Sequence, residues 1–134
     1  DGIRTVAGIL PTLVGLMTAV GVLRASGFLD FLGSLLTGPA SLLSIPAPLV
    51  PLLLVRLVSN SAAVGLLLDL FRQYGADSFT GMAASILMSS TETVFYCVSV
   101  YFGSVGVTRT RYTLAGALTA TAAATAAAIF LAAR

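Results

Sequence analysis

The sequence contains no histidine and no lysine, a single cysteine, and only five acidic residues, of which one is a glutamate. Without histidine there is no imidazole base, no histidine-based triad and no histidine-ligated zinc. Cys97 has no partner for an internal disulfide. The seven arginines give a formal net charge of +2, and their scatter excludes the clustered basic face that nucleic acid requires. No cofactor, metal or nucleic-acid partner is expected. An enzyme is the weakest reading, because a lone glutamate among hydroxyls lacks a matching acid and base pair.

Charge as a whole is scarce. Of 134 residues 9% are charged, 57% are hydrophobic, and the mean hydropathy is +1.02. A soluble domain carries about 25% charged residues to keep its surface wet. The expected solvent is therefore a lipid bilayer, and the expected fold an all-α membrane protein. Asp1 is not followed by a basic stretch and a small-residue cleavage site, so no signal peptide is read.

Thr5 to Leu23 is a run of nineteen uncharged residues between Arg4 and Arg24, long enough for a first spanning helix with Pro11 as a tolerated irregularity. Gly8 and Gly15 fall roughly on one face of it and are read as packing positions. The next apolar run is punctuated by Pro39, Pro46, Pro48 and Pro51, which predicts short pieces: a helix over 29–36, another over 39–43, a turn over 44–48, and a new helix from about Pro48 to Val58. That last piece is too short to cross the hydrocarbon core. It ends at Ser59, Asn60 and Ser61, expected to be either the tip of a re-entrant hairpin or the break in one crossing helix. Asp69 and Arg72, three apart, are expected to pair at a helix surface.

The pattern recurs weakly thirty-one residues on. Phe79 to Met88 is an apolar half, Ser89 to Thr93 a polar interruption, and Val94 to Val107 a second apolar half. The fold class expected is thus a helical bundle with two interrupted or re-entrant hydrophobic segments, the arrangement that marks a binding site in transporters. Arg109 and Arg111 mark a loop, and Tyr112 to Ala133, rich in Ala, Thr and Gly, is long enough to span.

Glu92 is the functional candidate, since an ionisable group deep in apolar sequence costs at least about 2.5 kcal/mol unless paired or solvated. Ser90, Thr91 and Thr93 bring oxygen atoms beside it. The alternative is a capping box from Ser89 to Glu92 that starts the second half-helix. Arg56 is the other intramembrane charge, expected to pair with Glu92 or with helix carbonyls, or to contact an anionic solute. Arg56, Ser59, Asn60, Ser61, Ser90, Thr91, Glu92 and Thr93 together form the expected substrate-binding set.

The runs Ser90-Thr91-Glu92-Thr93-Val94-Phe95-Tyr96 and Val100-Tyr101-Phe102-Gly103-Ser104-Val105-Gly106, with Arg109 and Arg111 following, resemble the spore maturation protein B family. Tyr74-Gly75-Ala76-Asp77-Ser78-Phe79 and Gly21-Val22-Leu23-Arg24-Ala25-Ser26-Gly27 extend the resemblance over essentially the whole chain. That family sits in the larger group with the nucleoside-recognition or Gate domain, which includes concentrative nucleoside transporters. The resemblance implies a single Gate-type membrane domain over 1–134, lacking an upstream membrane helix. It implies the multi-pass cell membrane of a spore-forming bacterium, and a second copy or a spore maturation protein A-like subunit as partner. It also implies that Thr91 and Glu92 stand at a hairpin tip facing a small solute or ion. This sequence has Arg56-Leu57-Val58-Ser59-Asn60-Ser61 where the family reads Arg-Pro-x-Ser-Gly-Ser-Gly, so Asn60 is expected to make the left-handed turn in place of glycine. The function implied is a transport pathway serving spore maturation and core dehydration. A non-transporting scaffold, its polar clusters only setting helix packing, is the alternative.

Overall fold

The computed structural model describes residues 2–35 and 45–134. Among them the chain is helical and contains no strand. The elements are α1 (Gly2–Ala25), α2 (Phe28–Leu35), α3 (Leu49–Val58), α4 (Asn60–Tyr74), α5 (Phe79–Ser90), α6 (Val94–Ser104) and α7 (Thr113–Ala132). The helix expected over 39–43 lies outside the described residues.

Local chemistry sets most of these boundaries. α1 continues through Pro11 and stops at Gly27, whose φ of 74° is open to glycine at no steric cost. Pro48 is the N-cap of α3, because its fixed φ suits a helix start and its missing N–H has no acceptor there. Ser59, extended at φ −141° and ψ 115°, ends α3 and caps α4, its hydroxyl oxygen accepting from the Ala62 amide at 3.3 Å. Ser78 caps α5 in the same way through the Gly81 amide at 3.0 Å.

The core gathers one to three small or branched residues from each of several helices, among them Leu49 and Leu52 of α3, Ala63, Leu66 and Leu70 of α4, Ala83 and Leu87 of α5, and Ala128 of α7. α4 is the central element, packed against α1, α3 and α5. α3 and α4 fold back along each other, so that Pro48 and Pro51 at the start of α3 and Tyr74 at the end of α4 line one cavity. The first interrupted segment is therefore a hairpin with its tip at Ser59. The second differs. α5 and α6 do not pack on one another, and the run Phe79–Ser104 is a broken crossing, not the second hairpin that the family resemblance implied.

That run and Thr113–Ala132 are each long and apolar enough to cross a membrane. Large apolar side chains stay exposed on several helices, among them Val22, Phe31, Tyr101 and Phe130, as expected where lipid supplies the solvent. α7 packs chiefly on α5, yet only Thr125 and Ala128 of its residues are buried. A Cβ added at Gly8 or Gly15 would meet nothing within 4 Å among the described residues, so these glycines mark no helix contact with the described part of the chain.

The Asp69–Arg72 pairing expected from spacing is not formed. Asp69 instead accepts from Arg24 of α1, with Nη2 at 2.5 Å and Nε at 2.9 Å, and from Gln73 Nε2 at 2.8 Å. Position decides: Asp69 lies on the α4 face toward α1, and Arg72 points away and is exposed. Since the Arg24 side chain is 38% exposed, Asp69→Asn is expected to cost only about 1 kcal/mol. Thermal unfolding in detergent, in a double-mutant cycle with Arg24→Gln, would measure the coupling, and additive effects would show that the pair contributes none.

Candidate functional site

The two helix breaks lie side by side, and Arg56 joins them. It sits in the last turn of α3, three residues before Ser59, and is 4% exposed. Its Nη1 donates to Asn60 Oδ1, at the tip of the hairpin. Its Nη2 donates to the carbonyl oxygens of Met88 at 3.1 Å and Thr91 at 2.5 Å, at the second break. α5 ends at Ser90, so these carbonyls are among those that a helix leaves unsatisfied at its C-terminus. A guanidinium there supplies both hydrogen bonds and a favourable charge for the negative end of the helix dipole. Of the pairings expected for Arg56, the carbonyl one is present. No Arg56–Glu92 ion pair exists among the described residues.

The second break is three residues long. Thr91, the C-cap of α5, is extended at φ −118° and ψ 158°, and Thr93 is the N-cap of α6. Thr91 turns its hydroxyl back to the Leu87 carbonyl at 2.7 Å. Glu92 is exposed and its Oε2 accepts from the adjacent Thr93 amide at 3.3 Å. The capping box expected from Ser89 to Glu92 is absent: Ser89 still belongs to α5, its hydroxyl donating to the Ile86 carbonyl at 2.8 Å. Asn60 is not left-handed either. It opens α4, and the only non-glycine residue with positive φ among the described residues is Arg111. Ser59 takes the break instead, in an extended conformation that any residue adopts, so glycine is not needed.

Two cavities flank the junction. One, of about 410 Å³, is lined by Val58, Ser59, Asn60, Ser61, Thr93 and Tyr96. The other, of about 260 Å³, lies between Ser90, Thr91, Glu92 and Val94 on one side and Ala117, Ala120, Thr121 and Ala124 of α7 on the other. These four α7 residues surround the midpoint of a helix that runs from Thr113 to Ala132. The break therefore stands level with the middle of a helix about 30 Å long.

Every expected site residue thus falls at one junction, although the set divides between its two sides. Arg56, Asn60 and Thr91 are bonded to one another through the guanidinium; Ser59, Ser61 and Thr93 face the larger cavity; Ser90 and Glu92 face α7. Sequence reasoning missed Tyr96 as a lining residue and Met88 as a partner of Arg56. The Met88 contribution is a backbone carbonyl, which no residue type announces. Tyr96 could have been found from its position on the first turn of α6, three residues beyond Thr93.

The family model described as Gate, nucleoside recognition, matches residues 6–108. Spore maturation protein B of Bacillus subtilis (strain 168) is 47% identical over 107 residues, which cover 80% of this chain and 60% of that protein. The chain thus spans about three-fifths of the length of the relative. No solved structure matches.

Proposed function

Since the chain belongs to the Gate, or nucleoside-recognition, family, we propose that it is a membrane subunit that builds a solute pathway around its paired helix breaks and takes part in spore maturation. The observation that carries this reading is the convergence of the Ser59 and Thr91–Thr93 breaks on Arg56, level with the middle of α7. Irregular backbone at such depth is tolerated where it lines a cavity or is buried in protein, and paired broken helices are where transporters bind their solutes.

One copy of the chain does not close the pathway. Only Val94 of α6 is buried, and Phe95, Tyr96 and Tyr101 are exposed. A second copy, or an A-type subunit like that of the spore maturation system, supplies the remaining wall.

Glu92 is the residue that tests the reading. Among the described residues its only hydrogen bond is to its neighbour, so Glu92→Gln keeps the shape and is expected to leave the unfolding temperature in place. Proteoliposomes carrying the wild-type assembly are expected to shrink and re-swell under gradients of a permeant solute from a panel of small neutral, anionic and cationic compounds. In E92Q that permeation should fall at least about tenfold, the scale of losing one strong polar contact on the pathway. Equal permeation by both proteins would overturn the assignment and favour the scaffold reading.

A further inference from the structure

The larger cavity has a chemical bias that its residue names conceal. Among its lining groups are several hydrogen-bond donors without an acceptor. Asn60 Oδ1 is taken by Arg56, which leaves its Nδ2 amide as the available end. Ser59 Oγ already accepts from the Ala62 amide, which leaves its O–H to donate. Thr93 is 2% exposed, lines the cavity, and its hydroxyl has no partner among the described residues.

Two helices also begin here. α4 starts at Asn60 and α6 at Val94, so the positive ends of two dipoles and their unsatisfied first-turn amides meet at one place, against the single negative end of α3 at Val58. Thr93 does not cap α6 with its side chain. Behind Asn60 stands the guanidinium of Arg56, buried, with Nε unpartnered and with neutral acceptors only. Its charge is balanced only by the partial charge of the α5 C-terminus, which leaves part of its desolvation cost standing. Glu92, the one carboxylate near the junction, lines the other cavity, against α7, and no acidic residue lines this one.

We infer that the cavity between Ser59–Ser61, Thr93 and Tyr96 is an anion site, built for the carboxylate or phosphate group of a small solute. The inference rests on the solute-pathway reading and assigns the charge of what is carried: the anion accepts from the Thr93 hydroxyl and the Asn60 amide, sits at two helix N-termini, and has the Arg56 charge behind Asn60. Glu92 then lies on the opposite side of the break, away from the bound charge.

The test uses the purified full chain in detergent at constant background salt, with acetate, its uncharged isostere acetamide, inorganic phosphate and uridine as probes. Binding is read by calorimetry and by the shift in unfolding temperature, for wild type and for Thr93→Val. The valine removes the hydroxyl, keeps the shape, and replaces a polar group that has no partner, so folding should be unharmed. The expected result is that acetate or phosphate binds and acetamide does not, and that T93V weakens anion binding about tenfold at an unchanged unfolding temperature. Equal binding of acetate and acetamide, binding of uridine alone, absence of any anion binding, or T93V binding like wild type would each overturn the inference. Permeation lost in E92Q despite such a result would leave the pathway standing and only its anion selectivity refuted.

Discussion

Arg56→Met is expected to lower the unfolding free energy in detergent by about 2–4 kcal/mol, the largest effect of any single substitution at the junction. The methionine refills the space of the aliphatic stem. It cannot donate, so the Met88 and Thr91 carbonyls and the Asn60 amide oxygen lose their donor together. Leaving a buried acceptor unsatisfied costs about 1–3 kcal/mol, and water that could rescue it is absent from a bilayer interior. Removing the guanidinium also lifts its own desolvation cost, which offsets part of the loss. The losses win because one cation serves acceptors on two segments. Arg56→Lys sharpens the experiment: a single ammonium cannot span the same acceptors as a planar fork, so it should recover part of the stability and no more. Thermal unfolding of the three proteins is the measurement. A methionine variant as stable as wild type would show that the two breaks are held together by packing alone.

Gly81→Ala is expected to cost about 1–3 kcal/mol, in a position where alanine ordinarily favours a helix. Gly81 is buried in the first turn of α5. A Cβ there would fall on the carbonyl oxygen of Gly75, 2.6 Å from that of Ala76 and 2.9 Å from the Ala76 carbonyl carbon. All three are backbone atoms and cannot rotate aside. The turn from Gly75 to Ser78 is itself fixed, by the positive φ of Gly75 and by the Ser78 hydroxyl donating to the Gly75 carbonyl at 2.8 Å. Relief requires moving α5 relative to α4, and with it the second break relative to the first. G81A should therefore lower both the unfolding temperature and permeation, in contrast to E92Q. Wild-type stability in G81A would mean that the turn yields without disturbing the helices.

The sequence made some of this legible for identifiable reasons. Pro48 and Ser59 fixed α3 to within a residue, because a proline start and a serine cap act locally and need no knowledge of neighbours. The polar interruption at Thr91–Thr93 was visible because hydroxyls and a carboxylate are rare in apolar runs. Arg56 was singled out by the same rarity. Its partners were hidden, since carbonyl acceptors carry no sequence signature and lie 32 and 35 positions away. Asp69 shows the opposite failure: Arg72 was the nearer cation in sequence, yet Arg24, 45 positions off, is the nearer in space. That the first break folds back and the second does not depends on what each half packs against, which spacing alone does not encode.

The hairpin of α3 and α4 has a consequence for how the chain reaches its final form. α3 is 10 residues long, about 15 Å, half the thickness that a spanning helix must cover. α4 carries Asp69 and Arg72 near its end, which translocation machinery that sorts segments by hydrophobic length would read as a reason to leave it outside. Neither arm inserts on its own merits. The contact that organises the junction is therefore also what anchors two arms too short or too charged to be held by lipid alone.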